Sequence, residues 1–533
     1  MAALHPTHLS PLAGEWRING LWRRETVWEA FAATASRRAA RLALVDGATR
    51  LDFAALAARA ERLAGGLAAL GVRPGDAVAL VLPSWWEGIV TLLAIARTGA
   101  VAVPALPSHR HRELGFVLER SAARACVVAP GEPLAVVRAL RATLPALEHV
   151  LVVRGDAGPG ERGWTRAAEG ATAPPPPAGD AADVALLLHT SGTTAEPKGV
   201  LHTHETLLAE ARSLGPAHGL GTGDFALVPS STGHIAGIVH GLLVPAVHGA
   251  AAVLLARWDA GAALACMAAE GVTYTVGAPV LLRELAAHPE RPRHDLRRFR
   301  LFSCGGAAVD PALVGEAAER LGCVAKRVYG STEFPTITTA APDDPPARRL
   351  DSDGRAVGAA QLRIVGPDGA QVASGHEGEI LARGPDCCVG YHDPARTAES
   401  FTADGWFRTG DLGRLDAAGF LRVTGRVKDV IIRKGENISA PEVEELLAAH
   451  PAIAEVAVIG LPDAAAGEIA CAVVVPRPGV APPSLDALGA HLRAHGLSTR
   501  KLPEQLAVVD ALPRTESGKV RKNDLRARIL GSA

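Results

Sequence analysis

Thr190-Ser191-Gly192-Thr193-Thr194-Ala195-Glu196-Pro197-Lys198-Gly199 is a stretch of small and hydroxyl-bearing residues that ends in a lysine and a glycine. The apolar run 184–189 before it predicts a buried strand, and residues 204–212 after it predict a helix. Glycines let backbone N–H groups approach an anion closely, while hydroxyls and a lysine add hydrogen-bond donors and positive charge. The stretch therefore predicts a loop that binds a polyphosphate between a strand and a helix. A plain connecting turn is the alternative. The Walker A pattern is excluded, because a glycine rather than a hydroxyl residue follows the lysine.

Length and composition limit the classes of protein to which the chain belongs. A chain of 533 residues, 48% of them hydrophobic, is long enough for two or more domains with large cores. The net charge of −1 gives no electrostatic reason to expect a nucleic acid or an anionic membrane as partner. Residues 1–8 lack a secretory signal pattern. The apolar stretch 235–256 is broken by glycines, a proline and histidines, so we expect a buried strand–helix–strand passage and no membrane span.

The cysteines favour a reducing compartment. Seven are present, none in a C-x-x-C pair and none beside a histidine cluster. We therefore expect free thiols, a cytoplasmic protein and no structural zinc.

Alternating periodicities predict the fold class. Short apolar runs at 77–82, 101–103 and 126–128 alternate with helical patterns, which indicates a parallel, doubly wound sheet. The Gly/Pro/Ala-rich segment 155–183 predicts an exposed loop. The alternation then resumes as far as residue 329. Short strands with glycine turns between 361 and 423 predict a β subdomain, and a compact α+β unit begins at about residue 428.

Five further motifs accompany the loop in a fixed order along the chain. They are Tyr329-Gly330-Ser331-Thr332-Glu333, Gly378-Glu379-Ile380 with Arg383-Gly384-Pro385, Gly405-Trp406-Phe407-Arg408-Thr409-Gly410-Asp411, Gly425-Arg426-Val427-Lys428-Asp429, and Pro513-Arg514-Thr515-Glu516-Ser517-Gly518-Lys519. Together the six motifs resemble the adenylate-forming superfamily, which contains acyl-CoA synthetases, adenylation domains and luciferases. The segments 106–110, 233–237 and 258–259 are most similar to cyclohexanecarboxylate-type and medium-chain acyl-CoA ligases.

The resemblance implies an architecture and a reaction. It implies an α/β protein with a large N-terminal domain of doubly wound sheets plus a β subdomain at 1–424, a hinge at 425–429, and a small mobile α+β C-terminal domain at 430–533. A carboxylic acid attacks the α-phosphate of ATP to give an acyl adenylate and pyrophosphate, and a thiol, usually coenzyme A, then displaces AMP. The chemistry requires Mg²⁺ and cations to neutralise the phosphate charge.

The resemblance also implies roles for individual residues. Lys519 is the cation of the adenylation step. Glu333 is associated with Mg²⁺, and Thr194 is a second candidate for the metal. Asp411 accepts hydrogen bonds from both ribose hydroxyls, and Arg426 contacts the ribose or a phosphate. The predicted nucleotide contacts also include Thr190, Ser191, Gly192, Thr193, Thr194, Lys198, Gly306, Ala307, Ala308, Tyr329, Gly330, Ser331 and Thr332.

Two further sets of residues are implied for the acid and for the thiol. The acyl pocket is expected to be lined by His234, Gly237, Ser303, Cys304, Gly305, Val328 and Pro335, with His234 either gating the pocket or packing against it. The hinge and the thiol step are expected to use Lys428, Lys434, Gly435 and Glu436. Gly233-His234 stands where amino-acid-activating relatives have Phe-Asp, which argues against an α-amino acid as substrate.

The sequence departs from the family pattern at two positions and leaves three functions open. Ala195 replaces the usual glycine of the loop and His189 replaces a commoner tyrosine, so we expect altered ATP handling rather than inactivity.

The acceptor thiol belongs either to CoA or to the phosphopantetheine of an acyl or aryl carrier protein, and the protein acts as a monomer or a homodimer. A non-catalytic nucleotide-binding homologue is the third reading, and the retained residues Lys519, Glu333 and Asp411 speak against it.

Overall fold

Four β-sheets organise the part of the chain that the structure describes. The computed structural model describes residues 4–169, 176–190, 197–307, 309–427, 430–433, 436–463, 466–515 and 518–531, with backbone only for residues 432, 436, 437, 467 and 500. Three sheets belong to a large N-terminal domain and the fourth to a smaller C-terminal domain.

The strands are β1 (Leu42–Asp46), β2 (Thr49–Asp52), β3 (Ala77–Val81), β4 (Val101–Pro104), β5 (Ala125–Val128), β6 (His149–Val152), β7 (Arg162–Gly163), β8 (Val184–Thr190), β9 (Lys198–Thr203), β10 (Phe225–Val228), β11 (Ala251–Leu254), β12 (Tyr274–Gly277), β13 (Leu301–Gly305), β14 (Val324–Tyr329), β15 (Thr338–Thr339), β16 (Arg355–Ala356), β17 (Gln361–Val365), β18 (Gly378–Arg383), β19 (Phe407–Leu415), β20 (Leu421–Arg426), β21 (Val430–Arg433), β22 (Glu436–Ser439), β23 (Ile453–Asp463), β24 (Gly467–Pro476) and β25 (Gln505–Val508). The α-helices are α1 (Ala13–Ile18), α2 (Val27–Arg37), α3 (Phe53–Ala69), α4 (Trp86–Thr98), α5 (His111–Ser121), α6 (Glu132–Leu140), α7 (Trp164–Glu169), α8 (His204–His218), α9 (Ile235–Ile238), α10 (Val244–His248), α11 (Ala260–Glu270), α12 (Pro279–Ala287), α13 (Pro311–Leu321), α14 (Pro346–Asp351), α15 (Pro394–Ser400), α16 (Ala440–Ala448), α17 (Leu485–Ala494) and α18 (Lys522–Gly531). A π-helical turn covers Val239–Leu243, and short 3₁₀ turns cover Arg141–Thr143, Arg291–Arg293 and Thr499–Lys501.

Two large sheets form the core of the N-terminal domain. One has the strand order β7-β6-β5-β3-β4-β8-β9 and is parallel except for β9, and the other has the order β16-β15-β14-β13-β12-β10-β11-β1-β2 with parallel strands in its middle. Central strands such as β3 are buried along their whole length, as expected where helices cover both faces. A continuous apolar core links the two sheets through α3, α4 and α8. The predicted α/β class with doubly wound sheets is confirmed.

The smaller parts of the fold follow the sequence prediction closely. β17 to β20 form an antiparallel meander, and the C-terminal domain has the sheet β22-β21-β24-β23 with β25 beside β24. A separate apolar cluster, which includes Ile438, Val458 and Leu488, fills the C-terminal domain. The described residues contain no helix long and apolar enough to cross a membrane, and all seven cysteines are free thiols.

Three local predictions were wrong. The predicted strand–loop–helix around the phosphate loop contains an additional strand, β9, so that the loop connects an antiparallel hairpin. The expected loop 155–183 includes β7 and α7, whose Trp164 is buried because it packs into the main core and donates a hydrogen bond to Thr91. The apolar stretch 235–256 is helix, π-turn and helix followed by one strand, without the first strand that we expected.

Candidate active site

Strands β8 and β9 form a hairpin at the edge of the seven-stranded sheet, and this phosphate hairpin carries the predicted phosphate loop. Thr190 pairs with Lys198 across β8 and β9, and His189 pairs with Gly199. The backbone of residues 389–392 runs along the free edge of β9, where His392 N–H donates to the Gly199 carbonyl at 2.7 Å. Ser191, Gly192, Thr193, Thr194 and Ala195 lie outside the described residues. The hairpin therefore fixes both ends of the predicted phosphate loop.

A tyrosine from this edge segment joins two of the predicted site residues. The hydroxyl of Tyr391 donates a 2.7 Å hydrogen bond to Oε1 of Glu333. Its ring centroid lies 5.2 Å from Nζ of Lys198. Tyr391 is only 1% exposed. The lysine at the end of the loop and the predicted metal carboxylate are thus brought together at one buried side chain.

The second pair of predicted residues comes from neighbouring antiparallel strands. Asp411 of β19 and Arg426 of β20 are direct cross-strand partners, with 3.0 Å between Oδ1 and Nε. The hydroxyl of Tyr329 donates to Oδ2 of Asp411 at 2.7 Å. Burial raises the pKa of Asp411, whereas Arg426, Tyr329 and Lys519 act in the opposite direction. The arrangement presents a carboxylate whose two oxygens are oriented by separate donors.

A tight turn carries Lys519 from the C-terminal domain to this carboxylate. The N–H of Thr515 donates to the Lys519 carbonyl at 2.7 Å, and Gly518 has a φ of +82°. A Cβ on Gly518 would lie 3.2 Å from Cγ1 of Val280, at the start of α12 in the N-terminal domain. The turn is therefore in contact with the large domain, and its backbone conformation favours glycine.

The surroundings of Lys519 are electrostatically mixed. Lys519 is exposed at the surface, and partial desolvation of its ammonium group by surrounding protein atoms lowers its pKa. Arg426 lowers the pKa further, while Asp411 and Glu333 raise it. The ammonium group is thus within electrostatic reach of two predicted nucleotide residues and of the predicted metal carboxylate.

A buried histidine supports the strand-to-loop segment that carries Glu333. Nε2 of His202 lies 2.8 Å from the carbonyl of Thr332, and Nδ1 lies 3.1 Å from the hydroxyl of Thr206. Because a carbonyl can only accept, His202 donates from Nε2. Burial lowers the pKa of His202 to about 4, so the ring stays neutral near neutral pH.

Two buried carboxyl groups lie beneath the same segment. Glu210 of α8 accepts a 2.7 Å hydrogen bond from the hydroxyl of Thr336. Asp386 is 1% exposed, and its carboxyl group interacts with that of Glu210. Burial raises the pKa of Glu210 to about 7, and burial together with the charge of Glu210 raises the pKa of Asp386. Since two adjacent buried carboxylates repel, the pair retains at least one proton at neutral pH.

Replacing Glu210 with glutamine is expected to stabilise the protein at pH 8 by about 1–3 kcal/mol. The folded-state pKa of Glu210, about 7, exceeds the ordinary value of 4.5, so folding favours the protonated form. Wild-type stability is therefore lost as the pH rises from about 4.5 to 7, and the amide removes this loss. Denaturant unfolding at several pH values measures the difference, which should shrink towards pH 4.5.

A carboxylate on the same helix provides the matched control. Glu205 accepts two hydrogen bonds from Arg17, both of 2.8 Å. Glu205→Gln should lower stability at pH 8, because it breaks an ion pair. A Glu210→Gln variant that is also less stable than the wild type at pH 8 would contradict the assignment of a protonated pair.

The predicted acyl-pocket residues lie at the carboxyl ends of parallel strands, but they do not all face the same way. Ser303 of β13 is fully buried, and its hydroxyl has no hydrogen-bond partner among the described residues. The next side chain, Cys304, is buried in the apolar cluster between the nine-stranded sheet and its helices, and its place in the acyl pocket remains a prediction. Successive residues of a strand alternate between faces, which the motif alone did not resolve.

Close backbone packing shapes the other side of this region. Three glycines here leave no room for a side chain. A Cβ added to Gly237 would lie 2.1 Å from the carbonyl oxygen of Ser231. A Cβ on Gly305 would lie 2.3 Å from that of Val328, and one on Gly330 would lie 2.0 Å from that of Pro335. His234 is the N-cap residue of α9 and is partly exposed, as are Val328 and Pro335. Ser331 and Thr332 are also partly exposed. Gly306, whose φ is +81°, and Ala307 follow directly after β13. Ala308, Lys428, Lys434 and Gly435 lie outside the described residues, and only the backbone of Glu436 is described.

The donor set around Glu333 fits Mg²⁺. The described residues contain no cluster of three or more histidine, cysteine, aspartate or glutamate side chains that would hold a metal alone. Mg²⁺ usually takes one or two protein carboxylates and completes its shell with phosphate oxygens and water. Glu333, with one oxygen held by Tyr391, matches such a site, and Thr194 is outside the described part of the chain.

Sequence reasoning missed two residues that hold the site together. Tyr391 is 58 residues from Glu333 along the chain, and His202 is 130 residues from Thr332, whose carbonyl it contacts. Tyr391 lies beyond the motif that ends at Pro385, so that motif gave no signal for it. His202 offered none, because a histidine on a buried strand is usually a core residue.

Comparison with known proteins agrees with this geometry. Residues 31–392 match the family model of the AMP-binding enzyme, and residues 442–519 match the AMP-binding enzyme C-terminal domain. The chain is 34% identical to the medium-chain fatty-acid–CoA ligase of Escherichia coli, over 97% of this chain and 92% of that protein. It is 37% identical to the salicyl-AMP ligase / salicyl-S-ArCP synthetase of Mycobacterium tuberculosis, over 98% of this chain and 94% of that protein. The structure of the anthranilate CoA ligase AuaEII with anthranoyl-AMP superposes with a TM-score of 0.89 at 26% identity, over 97% of this chain and all of that one.

Proposed function

Because this chain belongs to the AMP-binding enzyme family, we propose that it is an ATP-dependent carboxylate–CoA ligase of the AMP-forming type. A carboxylate oxygen attacks the α-phosphorus of ATP, the bond from that phosphorus to the bridging oxygen breaks, and pyrophosphate leaves. The thiol of CoA then attacks the acyl carbon, the bond to AMP breaks, and the thiol proton is released. The products are acyl-CoA, AMP and pyrophosphate.

The observation that carries this proposal is the convergence of Lys519, Asp411, Arg426 and Glu333 from two domains. Asp411 would orient the ribose, and Arg426 would hold Asp411 while contacting the ribose or a phosphate. Lys519 would lie between the acyl oxygen and the α-phosphate, where a fixed cation stabilises the charge that develops during attack. Bound Mg²⁺ would neutralise phosphate charge, with Glu333 as its protein ligand.

The two half-reactions require different positions of the C-terminal domain. The contact of the Gly518 turn with Val280 corresponds to the adenylation arrangement in this proposal. We propose residues 425–429 as the hinge between domains 1–424 and 430–533. Rotation there would withdraw Lys519 and bring Lys434, Gly435 and Glu436 towards the thiol channel.

The acid is proposed to be apolar and without an α-amino group. Gly233-His234 provides no carboxylate for an ammonium group, and the predicted pocket residues other than His234 are small or apolar. Relatives named for medium-chain fatty acids and for salicylate support both aliphatic and aryl acids.

A carrier protein is the alternative acceptor, because relatives of both kinds align along nearly the whole chain. The test supplies straight-chain, alicyclic and aryl acids with ATP and either CoA or a holo-carrier protein, and detects the thioester by mass spectrometry. Thioester on CoA supports the proposal, and thioester on the carrier alone replaces it with the alternative. Acyl adenylate that is never transferred to either thiol would overturn both.

A further inference from the structure

Resting on the proposed function, we propose that Tyr391 is a positioning residue for adenylation. Its hydroxyl orients Glu333 towards the metal, and its ring face positions Lys198 towards the triphosphate. The tyrosine thereby ties the phosphate hairpin and the metal carboxylate into one preorganised unit.

The hydroxyl controls which oxygen of Glu333 is available. It donates to Oε1 at 2.7 Å, which leaves Oε2 for a cation. The phenol of an ordinary tyrosine is protonated at neutral pH, so the hydroxyl is a proton donor to this carboxylate. Residues that hydrogen-bond a metal-binding carboxylate from behind fix its orientation and tune its affinity for the metal.

The ring performs the second task. Nζ of Lys198 lies 5.2 Å from the ring centroid, within the range of a cation–π interaction. One tyrosine therefore contacts an anion through its edge hydroxyl and a cation through its face. Lys198 and Glu333 come from β9 and from the loop after β14, and this side chain is a direct link between them.

The backbone of Tyr391 is fixed at both of its polar groups. Its N–H donates to the hydroxyl of Thr397 at 2.9 Å, and its carbonyl accepts from the hydroxyl of Thr7 at 2.7 Å. A β-bridge to Val200 adds a third restraint. The N-terminal segment and α15 thus hold the ring in place before any ligand binds.

Packing alone does not require the hydroxyl. Phenylalanine would fill the same volume between Val200 and Cys388, whereas a buried hydroxyl is unfavourable unless it finds a partner. The hydroxyl finds that partner in Glu333, which is the residue that the reaction needs in one orientation.

The experiment measures nucleotide binding rather than turnover. Isothermal titration calorimetry gives the Kd of α,β-methylene-ATP, whose α–β linkage cannot be cleaved, in excess EDTA and in saturating Mg²⁺. The ratio of the two constants reports how strongly the metal and the nucleotide are coupled on the protein. Tyr391→Phe should lower this ratio about tenfold, because Glu333 loses its orienting donor. Its melting temperature should stay close to that of the wild type.

Tyr329→Phe is the matched control, because its hydroxyl contacts Asp411 instead of Glu333. It should weaken nucleotide binding similarly in EDTA and in Mg²⁺ and leave the ratio unchanged. Tyr391→Leu should additionally weaken binding in EDTA about fivefold relative to Tyr391→Phe, because Lys198 loses the ring face.

The possible outcomes separate the inference from the proposed function. If the wild-type ratio is already close to one, the metal role of Glu333 fails and the proposed function is at fault. If the wild type shows the coupling and Tyr391→Phe retains it, the positioning role is overturned. In a Glu333→Gln background, Tyr391→Phe should cause no further loss of the ratio, and an additional loss there would also overturn it.

Discussion

Lys519→Ala is expected to slow acyl-adenylate formation by about 10²–10³-fold, the usual effect of removing one fixed donor from a developing oxyanion. Lys519 is the cation that the C-terminal domain brings to Asp411, Arg426 and Glu333. Thioester formation from a synthetic acyl adenylate should proceed at the wild-type rate, because the proposed hinge motion withdraws Lys519 for that step. Rapid-quench measurement of each half-reaction tests the two statements separately.

The matched control for this prediction is Lys522→Ala. Lys522 lies three residues further along the chain and pairs with Glu444 at 2.7 Å within the C-terminal domain. It should leave both half-reactions unchanged, which separates loss of a particular ammonium group from general loss of charge. An equal decrease of both half-reactions in Lys519→Ala would refute the assignment of two domain positions.

Asp411→Asn is expected to raise the KM for ATP about 100-fold and to change the KM for the acid much less. The amide cannot accept hydrogen bonds at both former oxygens, and charge-assisted bonds contribute roughly 1.5–3 kcal/mol each. Because burial disfavours the charged form of Asp411, an uncharged side chain of the same shape should leave the fold intact. Steady-state kinetics with each substrate varied, together with a thermal melt, measures these effects.

Asp416→Asn provides the opposite control. Asp416 accepts hydrogen bonds from two backbone N–H groups of the turn after β19 and pairs with Arg348. Its loss should lower the melting temperature without changing the KM for ATP. If Asp411→Asn alters the KM for ATP less than threefold, Asp411 does not bind the ribose.

The parts of the fold that sequence predicts well are those with strong periodicity. The helix Trp86–Thr98 lies where a helical pattern separates the apolar runs 77–82 and 101–103. The antiparallel strands between 361 and 423 appear where glycine turns separate apolar alternations. Two separate motifs identified Asp411 and Arg426, but only the strand register shows that they are cross-strand neighbours.

Features that depend on tertiary contacts were not predictable. β9 was missed because Val200 and Leu201 form a short apolar run between a lysine and a helix cap, which periodicity alone does not classify. The burial of Cys304 between the nine-stranded sheet and its helices depends on strand phase, which a motif does not record. Tyr391 acquires its role only because its segment runs along the edge of β9.

The acid-dependent exchange of labelled pyrophosphate into ATP tests the central claim most directly, because it detects reversible formation of an acyl adenylate without any thiol. We expect the wild-type protein to catalyse this exchange with at least one apolar carboxylic acid, with exchange lost in Lys519→Ala and retained in Lys522→Ala. Exchange that persists undiminished in Lys519→Ala, or that no acid in a broad aliphatic, alicyclic and aryl panel supports in the wild type, would contradict the account.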